Sequence, residues 1–499
     1  MSRVLSILSN PLTVIRLAML TAIVVGGLAA VSADPDLWGH LRFGQDIVAA
    51  GAIPRVDSYS FTSDIPWVNH EWLAEVLMYL AWSAGGALGL VGFKLVFTLG
   101  TLILLVIVLE KSGLPLPARD VCIGLVAIAL APLVKTVRPQ LFSLLLFTVL
   151  LATLRSVDRG RRGAIAAVPV IMLLWCNLHG GWLVGMAVVG LWLVFEMFDR
   201  RVPRRARVGF LLAGGLAAGA TLVNPYGVGL WAFLWSTVGL SRPDITEWQP
   251  IWSAPLGLGA IWLAVLAIAV VAVLKRGSVK WSYLAILLLL GFASLRVVRL
   301  IPFFGLAAAY WLAPSLGSGQ GVRPTPASNS RDRRQNAYWL TALVLVLVSG
   351  GTTITVRNRC IQMADGWRAA DGEAARFIAA NHLSGRMVTW FDWGEYAIWH
   401  LSPAVKVSMD GRRETVYSET VRANHRSLYA GEARGLAYLE SLEPEYMWLP
   451  AGLAVVPKLD GSRWHPIYRS ADSVILARNP VRFVTPPARF SGPACFPGP

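Results

Sequence analysis

Eleven long apolar runs, separated by short polar segments, leave this chain of 499 residues few ways to fold. A helix needs about 20 mostly apolar residues to cross the hydrocarbon layer of a membrane. Runs of this kind lie near 12–33, 88–110, 120–134, 139–154, 164–177, 180–198, 207–223, 256–274, 281–295, 299–314 and 337–356, some of them short. The segment 228–240, flanked by Pro225 and Pro243, reads as a re-entrant or interfacial helix. Residues are 55% apolar and only 15% charged, which excludes disorder, collagen and a purely soluble enzyme. The expected fold is an α-helical polytopic membrane protein of about 11 transmembrane helices with a C-terminal extracytoplasmic α/β domain.

The loops test that count. The net charge of +16 would point a soluble protein towards nucleic acid, but here the excess sits between apolar runs and reports topology instead. With the N-terminus in the cytoplasm, the cytoplasmic loops are KSGLPLPAR (111–119), RSVDRGRRG (155–163), DRRVPRRAR (199–207), KRGSVK (275–280) and the linker 315–336, and all are basic. The first outer loop holds five Asp and two Arg over 34–70. An odd count then puts residues 357–499 outside. Residues 16–33 also admit a signal-peptide reading, since Ala30-Val31-Ser32-Ala33 resembles a cleavage site, and Asp34 emerges outside either way.

Three domains follow. Residues 1–356 form the membrane domain, with 34–87 as a first outer loop carrying amphipathic helices and 315–336 as a cytoplasmic linker. Residues 357–485 alternate short β-rich runs (Met387–Phe391, Val405–Met409, Tyr446–Leu449, Val474–Ala477) with helical stretches (366–381, 394–401, 415–428, 433–441), the pattern of a small α/β domain. Residues 486–499 read as a Pro-rich tail. Cys122, Cys176, Cys360 and Cys495 share no metal-ligand spacing, which argues against a disulfide scaffold or a zinc module.

Candidate chemistry gathers at the outer ends of the spans. Asp34-Pro35-Asp36 opens the first loop, followed by Trp38, His40 and Arg42, and Trp67-Val68-Asn69-His70-Glu71-Trp72 closes it. Interfacial tryptophans would anchor such a loop at headgroup depth. Lys135 and Arg138 in one outer turn, Arg296 and Arg299 in another, stand where basic residues are normally depleted. Two such turns together can clamp a phosphate; alternatively the four side chains snorkel to headgroups. Asn177 and His179 lie in NLHGGW, and Asn224 in NPYG ends a span. In the C-terminal region Asp392 follows a strand and is either a site residue or a helix cap. Lys94 and Glu196 sit near helix edges, so the span interiors are nearly free of charge. No HExxH, GxSxG, Walker A or GxGxxG motif occurs in a suitable context.

These features resemble the GT-C superfamily of integral-membrane glycosyltransferases, which use polyprenyl-phosphate-linked sugars. The sequence also resembles a set of bacterial polytopic proteins related to it, through DPDLWGHLRFG, PWVNHEWLAE, VRPQLFS, NLHGGW, NPYG and DGRRE. Trp390-Phe391-Asp392-Trp393-Gly394 is similar to the WWDYG motif of oligosaccharyltransferase catalytic subunits, departing at two of five positions. The resemblance implies inverting transfer of a sugar from a polyprenyl-phosphate donor to an acceptor on the outer face of the cytoplasmic membrane. It gives the general-base or metal-ligand role to Asp34 or Asp36, with Asp36 favoured because Pro35 sets its direction, and allows a divalent ion, Mg or Mn. Lys135, Arg138, Arg296 and Arg299 would bind the donor phosphate. His40, His70, Glu71, His179 and Asp392 would be auxiliary or acceptor-contacting. The competing expectations are a transporter or lipid flippase, which wants ionisable residues deep in the spans, and a non-catalytic scaffold.

Overall fold

The computed structural model describes residues 32–112, 114, 116–240, 242, 245–276, 279–316, 360–363, 370–459, 463–480 and 495–498. The expected spans 12–33 (up to residue 31) and 337–356, and nearly all of the linker 315–336, lie outside them. The described residues form two compact units, one of Val91–Arg359 and one of Ser32–Leu90 with Cys360–Pro499.

The first unit is helical. Its helices include Leu116–Val134, Gln140–Asp158, Ala167–Leu178, Trp182–Phe198, Arg204–Ala220, Val228–Val238, Leu256–Arg276, Trp281–Arg296 and Ile301–Leu316. Each expected span among the described residues falls on one of these helices or on Trp72–Glu110. Among the described residues three helices, Trp72–Glu110, Gln140–Asp158 and Leu256–Leu274, are long and apolar enough to cross a membrane, and the shorter apolar ones include Trp182–Phe198 and Trp281–Arg296. The helix Trp72–Glu110 breaks at Gly86, where φ is 54° and ψ −135°, a conformation that glycine adopts without steric penalty. Glu196 is buried and paired with Lys280, and Lys94 is wholly buried, about two turns beyond the break.

The second unit brings the first loop and the C-terminal residues together. Its sheet has the order β4-β3-β5-β7-β6, from β3 (Gly385–Thr389), β4 (Val405–Val407), β5 (Tyr446–Pro450), β6 (His465–Arg469) and β7 (Ser473–Ala477). β3 is parallel to β4 and β5, and β7 runs antiparallel between β5 and β6. On one face Val388, Met447, Leu449, Val474 and Leu476 pack against Leu428 and Leu439 of the helices Glu419–Tyr429 and Ala433–Leu442. On the other face Trp448 meets Trp393 and Tyr396. The strand β6 was not expected. Its Pro466 removes a ladder donor, and its residues are mostly exposed, as suits an edge strand.

The first loop adds its own backbone to this sheet. Val407 N donates to Tyr59 O at 3.0 Å and Phe61 N to Val407 O at 3.1 Å, so residues 59–61 lie along the β4 edge. A second, two-stranded sheet pairs β1 (Ser32–Ala33) with β2 (Gln362–Met363) in parallel.

The cysteine expectation is corrected for one pair. Cys360 and Cys495 form a disulfide across 135 residues, while Cys122 and Cys176 are free and buried. The bridge holds residues 495–498, which the sequence reading assigns to the Pro-rich tail, against the unit. Phe496 packs on Trp38 and Trp82, and Pro497 O accepts from Trp38 Nε1 at 2.7 Å and from His400 Nε2 at 2.8 Å. A loop of this length gives a large entropic effect. Cys360→Ser should therefore destabilise this unit by about 2–5 kcal/mol, read as the shift in its unfolding transition with the reduced wild type as control.

Candidate functional site

The acidic motif sits where a helix begins. Asp36 is the residue before the helix Leu37–Ala50, whose buried side carries Leu37, Trp38, Gly39, His40 and Leu41. Asp34 Oδ1 accepts from Asp36 N at 3.2 Å and Asp34 O from Leu37 N at 2.9 Å, which fixes the turn. Asp34 and Asp36 are both half-buried. A carboxylate at a helix N-terminus is favoured by the helix dipole.

The helix packs against the Gly394–Leu401 helix, and the contact is made by glycine. Gly39 N donates to Glu395 Oε2 at 3.2 Å, and a Cβ on Gly39 would overlap that carboxyl. A Cβ on Gly411 would collide with Asp36 Oδ1 and lie 2.7 Å from Glu395 Oε1. The segments DPDLWGHLRFG, WFDWGEY and DGRRE thus converge on one point. Glu395, buried at 4% exposure, is one of the residues that sequence reasoning missed. It stands one position beyond the WWDYG-like segment, where attention fell on Asp392. Asp392 lies inside the 3-10 turn Phe391–Trp393 rather than at a cap position, and is half-buried.

Arg412 anchors this point from below. Its guanidinium grips Asp57 with two bonds, 2.7 and 3.1 Å, and reaches Asp410 Oδ1 and Oδ2 at 2.9 and 2.7 Å. Phe43, Tyr59 and Trp67 surround it at 4.8–5.3 Å from ring centre to guanidinium. Asp410 also accepts from Tyr417 Oη at 2.7 Å. Burial would push the Asp410 carboxyl up, but Arg412 and Tyr417 hold it below the usual carboxylate range.

Glu395 behaves oppositely. Burial, followed by the charges of Asp36 and Asp410, raises it well above its ordinary value against a smaller pull from Arg412. A raised acid favours the folded state at low pH, and that contribution is lost as pH rises from its unfolded value, about 4.3, through the folded one. Wild type should therefore lose stability of this unit as pH rises through that window, and Glu395→Gln should flatten the loss. Parallel pH curves for the two proteins in thermal unfolding would refute this.

The remaining polar residues of the loop form a neighbouring pair of contacts. His40 Nδ1 lies 3.6 Å from Glu75 Oε1, and Asn69 Nδ2 donates to Glu75 Oε2 at 2.5 Å. Burial disfavours the charged imidazole, yet Glu75, Glu71 and Asp36 together outweigh it and raise His40. His70 and Glu71 lie 3.6 Å apart. Among the described residues no group of three or more His, Cys, Asp or Glu could hold a metal ion. A divalent ion on Asp34 and Asp36 would thus need further ligands from substrate or water.

In the helical unit the two basic turns do converge. Arg138 lies 3.2 Å and Arg299 3.0 Å from the same oxygen, Glu247 Oε1, in the 3-10 turn Thr246–Trp248. Val298 N donates to Gln249 O at 3.2 Å and holds the turns together. Burial opposes ionisation of Glu247, but Arg299, Arg138 and His179 hold it below its ordinary value. Lys135 and Arg296 are exposed in the same two turns. His179 Nδ1 accepts from Gly181 N at 3.0 Å and contacts Ser143 Oγ at 2.6 Å, and a side chain at Gly181 would strike Ser143. Asn177 Nδ2 donates to Val223 O at 2.9 Å, which ties NLHGGW to NPYG.

The architecture is shared with solved membrane enzymes. The archaeal oligosaccharyltransferase AglB from Archaeoglobus fulgidus, in complex with an inhibitory peptide and a dolichol-phosphate, matches with a TM-score of 0.53 at 11% identity. The match covers 88% of this chain and 69% of AglB. ArnT from Cupriavidus metallidurans in the apo state matches with a TM-score of 0.50 at 14% identity, over 94% of this chain and 98% of ArnT. The chain shares the fold of these solved structures. No family model matches the sequence, and no curated protein does. The expected helical body, with a few candidate membrane helices, and a strand-containing C-terminal region are both present.

Proposed function

We propose that this chain is a membrane glycosyltransferase. It moves a sugar from a polyprenyl-phosphate-linked donor to an acceptor on the outer face of the cytoplasmic membrane, with inversion. The observation that carries the reading is the half-buried Asp36 carboxylate at a helix N-terminus, backed by Gly411 and the buried Glu395. A fold hosts many activities, so the site must bear the argument.

In this reading Asp36 takes the proton of the acceptor as its oxygen bonds to the anomeric carbon, and the bond from that carbon to the donor phosphate breaks. The phosphate leaves with the electron pair, and Arg138 and Arg299, with Lys135 and Arg296, stabilise its charge. Asp34 fixes the backbone of Asp36. A neutral Glu395 spares Asp36 a buried like charge. His40, His70, Glu71, His179 and Asp392 remain auxiliary candidates. The dolichol-phosphate bound in AglB supports a polyprenyl-phosphate carrier. The Cys360–Cys495 bridge supports an oxidising, extracytoplasmic setting for the C-terminal residues.

The test is transfer by the full chain in nanodiscs, from polyprenyl-phosphate and polyprenyl-diphosphate sugars, with Mg, Mn or a chelator. Wild type should transfer sugar. Arg299→Ala should weaken binding of the polyprenyl phosphate by about 10- to 100-fold, the range for a charge-assisted bond. Absence of binding to any lipid-linked sugar, with Arg299→Ala like wild type, sinks the proposal.

A further inference from the structure

A second basic site lies at the other end of the Gln140–Asp158 helix from Arg138. The rise of 1.5 Å per residue separates Arg138 from Arg155 by about 25 Å. The chain leaves this helix through a glycine turn. Gly160 has φ 93°, its N–H donates to Val157 O at 2.9 Å, and Arg161 N donates to Ser156 O at 3.0 Å. This paired closure is the Schellman motif, and it returns Arg161 to the helix end beside Arg155 and Arg159.

A cavity of about 430 Å³ opens there against the last turns of the Trp72–Glu110 helix. Leu104 and Val108 contribute an apolar wall, and Lys111, Arg155, Arg159 and Arg161 contribute four cations, with no acidic residue among the described lining residues. Arg155 is 6% exposed. Its guanidinium donates to Tyr310 O, while its Nε is buried with no hydrogen-bond partner. The acid at this helix end, Asp158, is engaged by Lys280 at 2.6 Å and by Tyr283. A buried cation with spare donors, three exposed cations at the rim and an apolar wall fit an anionic phosphate attached to a hydrocarbon body.

We propose that this cavity binds the phosphodiester headgroup of an anionic phospholipid. The assignment does not depend on the transfer reaction, because it concerns a lipid held at the opposite helix ends. Basic pockets between membrane helices are suited to such headgroups.

The test uses the full-length protein, delipidated in detergent and titrated with cardiolipin, phosphatidylcholine or sodium phosphate, with bound lipid counted by native mass spectrometry. Wild type should retain cardiolipin over phosphatidylcholine. Arg159→Gln with Arg161→Gln, both at exposed positions, should weaken cardiolipin by about 30-fold, from two near-surface cations, and leave phosphatidylcholine unchanged. The same charge loss at Arg200 and Arg201, exposed and outside the cavity, should leave cardiolipin binding intact. Equal binding of the two lipids, equal retention by the Arg159/Arg161 variant, or an equal fall in the Arg200/Arg201 control overturns the proposal. Displacement of cardiolipin by millimolar sodium phosphate overturns it too, in favour of a free-phosphate site.

Discussion

Asp36→Asn should slow sugar transfer by about 10²–10⁴-fold while donor binding changes only a few fold, the range for loss of a positioned general base. The amide keeps the size of the carboxylate and its place between Gly411 and the start of the Leu37–Ala50 helix. It cannot accept the acceptor's proton. The loss should therefore appear in the rate of the bound complex rather than in binding. Asp34→Asn is the informative companion. Its carboxylate holds the Asp36 backbone, and an amide oxygen can do the same, so a much smaller loss is expected. Equal rates for wild type and Asp36→Asn, with both proteins folded, would remove Asp36 from the chemistry.

Arg412→Met should be the most damaging change to the fold of the C-terminal unit, at about 3–5 kcal/mol. Methionine supplies similar bulk to the ring of Phe43, Tyr59 and Trp67, but leaves Asp57 and the wholly buried Asp410 without a cation. Most of the effect is the penalty of those uncompensated charges. Arg412→Lys should fall between the two, since an ammonium keeps the charge and loses the fork that grips Asp57. The sign with pH follows from Asp410. Its depressed carboxyl contributes stability above the unfolded value, about 3.9, and that contribution is lost as pH falls through the folded one. Acidification should thus narrow the gap between wild type and Arg412→Met. Thermal unfolding of the variants across pH measures both effects, and an Arg412→Met protein as stable as wild type would refute the role.

What the sequence disclosed is what local pattern encodes. Apolar runs of span length fell on helices, and the β-rich stretches at Met387, Val405, Tyr446 and Val474 became strands, because burial on one or both faces writes itself into neighbouring residues. The motifs DPD, WFDWGEY and DGRRE were visible as segments. Their meeting was not. Arg412 and Asp57 are 355 positions apart, and nothing in either segment names the other. Glu247 was overlooked for the same reason: it lies in a polar stretch without periodicity, and only the folded chain puts it between Arg138 and Arg299. The Cys360–Cys495 pair escaped a reading that sought clustered spacings, and β6 escaped because an exposed edge strand containing Pro466 carries no alternating pattern.

The addition of residues 59–61 to the β4 edge has a consequence for how the protein is made. The early loop is complete long before the ribosome reaches Val405, and its sheet partner does not yet exist. The rest of the chain up to Arg412 must be synthesised while Tyr59, Trp67 and Phe43 wait without the arginine they enclose. Such distant pairing is slow and leaves an open strand edge exposed in the interval. Completion of this unit thus waits on its last segment, because residues 59–61 have no strand to pair with until Val405–Val407 has been made.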